Sequence, residues 1–158
     1  MACYLHAMES FHTARKSRQT LIWLGATQQR LVTRINRALK GAELPYAQFV
    51  VLTHLASLPG RAWTVTDLAS ALETGQPGVS KILRRLTTKG LVMIDSDPED
   101  RRLKRHRLTA AGETAHGEAF QRIAPEAENI FAGWEEDDID ALHTLLYKLK
   151  SSLGDAGR

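Results

Sequence analysis

Pro77 limits the folding of this chain more than any other residue. It stands at the front of residues 76–89, where Val79, Ile82, Leu83 and Leu86 recur at helical spacing and Gly90 follows as a stop. Proline has no N–H to give to a helix and is tolerated only in the first turn. The helix therefore starts at 76 or 77 and cannot run back into the preceding residues. Those residues carry their own start signal. Thr64-Val65-Thr66-Asp67 has the spacing of a capping box, with Asp in place of Glu, and Leu68, Ala69 and Leu72 form a short inner face. Between the two lies Glu73-Thr74-Gly75, where Gly75 is expected to supply the turn's conformational freedom. A short capped helix, a tight turn and a second helix with a pinned start make a helix-turn-helix pattern.

The flanking segments extend it. Residues 18–40 have the pattern of a long amphipathic helix, with Leu21, Leu24, Leu31, Ile35 and Leu39 near one stripe and Gly41 as its stop. Pro45 opens a second helix carrying Tyr46, Phe49, Leu52 and Leu55, which Pro59-Gly60 ends. Arg61-Ala62-Trp63 is long enough only for a small strand. After Gly90, residues 91–95 and 105–108 are expected to pair as an antiparallel hairpin around a loop at 96–104. Thr109 is a good N-cap for a helix running from Ala110 toward Trp134, bent near Pro125. Glu135, Glu136, Asp137 and Asp138 suit the positive end of a last helix, striped by Ile139, Leu142, Leu145, Leu146, Leu149 and Leu153. The expected fold is mainly α with a small β-hairpin: a winged helix-turn-helix with long helices at both ends. Residues 1–17 are expected to form a flexible N-terminal segment. A single domain is expected over 18–158, with the winged unit at about 45–112 and the outer helices at about 18–41 and 110–153.

Charge separates along the chain. Between Lys81 and Arg107 there are nine Lys or Arg (81, 84, 85, 89, 101, 102, 104, 105, 107) and four acids (95, 97, 99, 100). Between Glu113 and Asp140 nine acids face the single Arg122. The basic stretch favours a polyanionic partner. At 100° per residue, Pro77, Lys81, Arg84 and Thr88 point away from the apolar seam of the 76–89 helix, with Ser80 and Arg85 on its flanks. Gly78 and Ser80 permit close approach to a major groove, and Gln76, Lys81, Arg84 and Arg85 can reach base edges or phosphates. At the hairpin tip Arg101, Arg102 and Lys104 can enter a narrow minor groove. Asp100 either pairs with Arg102 or caps the loop backbone. The bland alternatives are a solvated helix face and a hairpin whose charge only keeps the chain in solution.

Asp100-x-Arg102, then Leu108-Thr109-x-x-Gly112, resembles the wing signature of the multiple-antibiotic-resistance regulator (MarR) family. The likeness extends to "LPYAQFVVLTHL", "TVTDLASAL" and "QPGVSKILRRLTTKGLV", and covers about residues 20–150. The resemblance implies a homodimeric transcription factor with its recognition helix in the major groove and its wing arginine in the minor groove, often modulated by a small molecule. Gly78, in the first turn of the recognition helix, departs from the pattern by lowering helix propensity. No ligand motif matches, so no effector residue carries over.

Other classes find little support. One cysteine, Cys3, permits no internal disulfide and points to a reducing compartment. With no apolar span and no clear secretory signal, the chain is expected to be cytoplasmic. The phosphate-binding glycine loop, GxSxG, HExxH and CxxC motifs are missing from the sequence, so no enzyme, cofactor or metal site is expected. His116 with Glu113 or Glu118 is too few ligands for a metal. His54 is expected to pack in its helix, and Trp23, Trp63 and Trp134 to pack rather than line a ligand pocket. A sequence-nonspecific architectural DNA binder, and a sensor working through Cys3 or a metal, remain as rivals. The partners expected are double-stranded DNA, a second copy of the chain and a small effector, with no membrane.

Overall fold

The computed structural model describes residues 2–58, 60–96, 100 and 102–155, with side chains described between Ala14 and Gly154. Six helices and one hairpin follow in the order α1 (Ala2–Ala38), α2 (Tyr46–Ala56), α3 (Val65–Ala71), α4 (Gln76–Thr88), β1 (Val92–Ser96), β2 (Lys104–Leu108), α5 (Ala110–Ile130) and α6 (Glu136–Asp155). This is the expected mainly α fold with a two-stranded wing.

The chain divides into two compact units, with the boundary between Ile123 and Ala124. The physical reason is the distribution of the core. Among the described residues every buried apolar one lies at or before Ala119, so the described segment beyond has no buried core of its own. The boundary falls just before Pro125, which α5 accommodates in its interior.

In the first unit the largest fully buried side chains are Val51, Leu52, Leu68, Val79, Leu83, Leu86 and Val92. They come from α2, α3, α4 and β1, so the core sits inside the winged unit. Helix α4 packs on α2 and α3, β1 packs on α4, and β2 packs on α2 and α3. Among the described side chains of α1 only Ile35 is buried at this core, joined by Leu39 just past the helix end, whereas Leu21 and Leu31 of the same expected stripe are exposed. Helix α1 also begins at Ala2 rather than at residue 18. Residues 2–17 contain neither glycine nor proline, so nothing in them interrupts the helix. The segment 1–17 is thus helical from Ala2 on.

Local chemistry sets the joints. Pro45 caps α2 without a side-chain bond. Asn36 supplies the acceptor instead: its Oδ1 takes the N–H of Tyr46 at 2.9 Å. The capping box of α3 is complete. The Thr64 hydroxyl accepts from the Asp67 N–H at 3.1 Å, and the Asp67 carboxylate accepts from the Thr64 N–H at 3.0 Å. The Thr64 backbone N–H first, and the Thr64 side chain second, hold the Asp67 carboxyl below its usual range despite some burial.

The turn between α3 and α4 departs from expectation. Glu73, not Gly75, takes the left-handed conformation, at φ 49°. Gly75 is extended (φ −71°, ψ 138°) and is the N-cap of α4. The reason lies in how α3 ends. Thr74 N–H returns to Ala69 O at 3.0 Å and Glu73 N–H to Ser70 O at 3.1 Å, a Schellman closure that needs its left-handed residue directly after the C-cap Leu72. Helix α4 ends in the same way. Leu91 N–H reaches Leu86 O at 3.0 Å and Gly90 N–H reaches Thr87 O at 2.9 Å, with Gly90 at φ 71°.

The wing pairs Val92 with Leu108, Ile94 with His106 and Ser96 with Lys104. The strand expected at 61–63 reduces to one bridge between Trp63 and His106, closed by N–H···O bonds of 3.0 and 2.8 Å. At the wing's exit the Thr109 N–H donates to Leu91 O at 3.1 Å and its hydroxyl donates to Gly90 O at 2.7 Å, while that hydroxyl accepts from the Gly112 N–H at 3.0 Å. A Cβ on Gly112 would lie 2.0 Å from Leu91 O. The Leu108-Thr109-x-x-Gly112 motif is thus a clamp: threonine binds the end of the α4 turn and glycine lets the helix approach it.

Candidate nucleic-acid interface

Helix α4 has the two faces read from its spacing. Val79, Leu83 and Leu86 are buried, with Ile82 packed beside them. Gln76, Pro77, Gly78, Lys81, Arg84, Arg85 and Thr88 are exposed, and Ser80 is half-buried. Pro77 sits in the first turn and Gly75 caps it. The outward face runs from small residues at the N-terminal end to cations further along.

The basic run from residue 101 to 107 separates by function. Arg107 folds back across the hairpin onto Asp95, with Nε 2.7 Å from the carboxylate. Arg105 is half-buried and reaches Ala62 O at 3.4 Å. Arg102 and Lys104 are exposed at the outer end of the wing. Arg101 lies outside the described residues, as do Asp97, Pro98 and Glu99. Asp100 acts on the backbone: its Oδ1 accepts the Arg102 N–H at 2.9 Å, and its carbonyl accepts the Leu103 N–H at 2.9 Å.

The wing's root is held by His106, which is buried at 5% exposure. Its Nδ1 lies 3.2 Å from Trp63 O. A carbonyl only accepts, so Nδ1 carries the proton in the neutral ring. Burial pushes the His106 pKa down, the bond to Trp63 works against that, and Lys104 adds to the lowering. Arg61 stacks over the Trp63 ring with its guanidinium carbon 4.0 Å from the centroid. Sequence reasoning missed Arg61. Its only signal was the i, i+2 spacing to Trp63, which places both side chains on one side of an extended segment.

The remaining sequence candidates fall elsewhere. Trp63 is core, whereas Trp23 and Trp134 are exposed at 64% and 48%. Trp134 lies edge-on to Phe131, with ring centres 5.5 Å apart. His54 bonds Val50 O within its own helix at 3.1 Å. His116 turns to α2, stacking on Phe49 and lying 3.2 Å from the Thr53 hydroxyl, and its pKa is lowered by burial. The side chain of Cys3 lies outside the described residues. Among the described residues no cluster of three or more His, Cys, Asp or Glu could hold a metal, and no helix is long and apolar enough to cross a membrane.

Comparison with known proteins agrees with this geometry. A family model described as a winged helix DNA-binding domain matches residues 44–112. Among solved structures, BpsR of Bordetella bronchiseptica, described by the regulation of its DNA binding by 6-hydroxynicotinic acid, superposes with a TM-score of 0.73 at 27% identity, covering 81% of this chain and 90% of that one. The transcriptional repressor CouR, bound to a 23-mer DNA duplex, gives 0.74 at 27% identity, over 80% of this chain and 89% of that one. A mutant MarR of E. coli complexed with operator DNA gives 0.74 at 23% identity, over 80% and 90%. At that last level of identity the likeness is one of fold.

Proposed function

This chain is a winged helix protein with the MarR-family fold, and from that premise we propose that it is a homodimeric, sequence-specific transcriptional regulator. It binds a pseudo-palindromic operator as a repressor and is released by a small ligand. In this reading α4 enters the major groove. Gly78 and Ser80, beside Pro77 on the outward face, allow close approach there, and Gln76, Lys81, Arg84 and Arg85 reach bases or phosphates. Arg101, Arg102 and Lys104 of the wing meet the adjacent minor groove, and Asp100 sets the loop that carries them.

The observation that carries the proposal is the sorting of cations. Arg105 and Arg107 are engaged with the protein, whereas Lys81, Arg84, Arg85, Arg102 and Lys104 stand exposed on α4 and the wing of one unit. A hairpin that was charged only to stay in solution has no need of an aspartate capping the backbone beneath its arginine. Exposed apolar residues on α1 (Leu21, Ile22, Trp23) and on α6 (Leu145, Leu146, Tyr147, Leu153) support a second copy as their cover. Two reading heads on one duplex face then require half-sites about one turn, roughly 34–36 Å, apart. CouR's description as a repressor on DNA and BpsR's as a ligand-regulated DNA binder support repression and release.

The test is selection of bound sequences from a random duplex pool at near-physiological salt. A two-fold-symmetric motif is expected. Enrichment without any motif would instead make the chain an architectural binder, and no enrichment would refute the reading for the unliganded protein.

A further inference from the structure

A cavity of about 670 Å³ opens between the end of α1, the start of α2 and the C-terminal half of α4. We propose that it binds a medium-chain aliphatic carboxylate bearing a hydroxyl, and that this ligand displaces DNA by engaging the same arginines. The DNA half of that statement rests on α4 being the reading helix. The binding half does not.

Three observations define the ligand. The apolar lining is aliphatic: Leu39, Leu44 and Pro45, with no aromatic ring among the lining residues. An alkyl body fits such a surface better than a flat ring, which would find no stacking partner. The charged lining is Lys40, Arg84, Arg85 and Lys89 against Glu43 alone, so an anion is favoured. Lys89 is partly committed, since its ammonium donates to Glu43 O and ties α4 to the turn before α2. Finally, Gln48 lines the cavity, is buried at 5% exposure, and has no hydrogen-bond partner for its Oε1 among the described residues. A buried acceptor without a donor is costly. A ligand hydroxyl seated against Gln48 supplies that donor, with the carboxylate at the cationic rim.

The consequence for regulation follows from residue sharing. Arg84 and Arg85 line this cavity and also belong to the exposed face of α4. A carboxylate that holds them neutralises charge that DNA phosphates or bases would otherwise use. Binding of ligand and of DNA is then mutually antagonistic by linkage, without any change of fold.

The experiment titrates the full chain, free of DNA, with 8-hydroxyoctanoate, octanoate and 1,8-octanediol in a calorimeter. The expected order is 8-hydroxyoctanoate about tenfold tighter than octanoate, with the diol weakest, at one molecule per chain. Gln48→Leu is expected to erase the tenfold preference while octanoate binding persists. Lys40→Glu alters an exposed rim residue and is expected to weaken both carboxylates, so it carries the test should Gln48→Leu fail to fold. Failure of all three probes to bind at millimolar concentration, equal affinities for the three, or a hydroxyl preference that survives Gln48→Leu would overturn the site. The DNA-binding reading is judged separately, on the selected duplex. If that duplex binds and 8-hydroxyoctanoate does not displace it, the coupling is refuted and the DNA reading stands. If no duplex binds while the titration succeeds, the cavity stands and the DNA reading falls.

Discussion

Helices α4 and α6 were written in the same sequence language, an apolar stripe at helical spacing, and they meet opposite fates. In α4, Val79, Leu83 and Leu86 are fully enclosed by α2, α3 and β1. In α6, Leu145 is 63% exposed, Tyr147 69% and Leu153 62%. Burying a large apolar side chain contributes about 1.5–3 kcal/mol. The winged unit therefore draws its stability from its own core, whereas α6 holds a comparable driving force in reserve. Periodicity establishes that a helix has an apolar face, but it does not establish which chain covers that face.

The largest expected effect tests that difference directly. Ending the chain after Trp134 removes α6 and its exposed stripe. We expect sedimentation to report a monomer, while the winged unit still melts cooperatively because its buried residues all precede the cut. A dimer of undiminished affinity would move the interface off α6. Loss of the cooperative transition would show instead that the winged unit is not self-sufficient.

Within the winged unit, Gly112→Ala should be the most damaging single methyl. Its Cβ would sit 2.0 Å from a backbone carbonyl oxygen, and backbone cannot rotate away as a side chain can. Overpacking of this kind costs up to about 3 kcal/mol or more, against a helix-propensity gain of about 1 kcal/mol. A net loss near 2 kcal/mol is expected in denaturant unfolding. An unchanged midpoint would mean that the wing and α5 separate easily, and the clamp would lose its meaning.

Much of this was legible in the sequence, for reasons that are local. Pro77 and Gly90 bounded α4, and Thr64 with Asp67 marked the start of α3, because each signal lies within one helical turn of what it controls. The α4 face split followed from spacing alone. What escaped detection depends on groups distant in sequence. Asn36 caps Tyr46 from the preceding helix, Trp63 and His106 find each other across the winged unit, and the sorting of Arg105 and Arg107 from Arg102 depends on which atoms the strands bring near. Glu73 was missed for a subtler reason. Gly75 was the obvious candidate for a left-handed turn residue, but the geometry of the helix end chose the position, whatever residue occupied it.

The wing offers a graded test of the cation sorting. Arg102→Ala should weaken binding to the selected duplex about tenfold and flatten the salt slope by about 0.9, the loss of one phosphate contact. Arg107→Ala, which removes a cation already paired with Asp95, should change that slope much less. Equal slopes for the two variants would remove the distinction between outward and inward arginines. The root of the wing should also respond to pH. The His106 and His116 pKa values lie below the ordinary value near 6.5, so the unfolded chain takes up protons first as pH falls. Stability is fully present above about 6.5 and declines below it, until the folded-state rings protonate too. His106→Gln should reduce that decline, leaving the part due to His116. An undiminished decline would mean that His106 is not held neutral.

The smallest effect lies at the two Schellman closures, which differ by one residue type. Gly90 occupies its left-handed position without strain, whereas Glu73 holds the equivalent position at φ 49° with a Cβ. Left-handed backbone costs an L-residue roughly 1–2 kcal/mol, offset in part by the greater freedom glycine loses on folding. Glu73→Gly is therefore expected to stabilise the winged unit by about 0.5–1 kcal/mol, while Gly90→Ala destabilises it. Both changes are read from thermal midpoints. If Glu73→Gly instead lowers the midpoint, the glutamate side chain stabilises the turn by more than its backbone strain costs, and the turn that sets α3 against α4 is tuned by that side chain as well as by its backbone geometry.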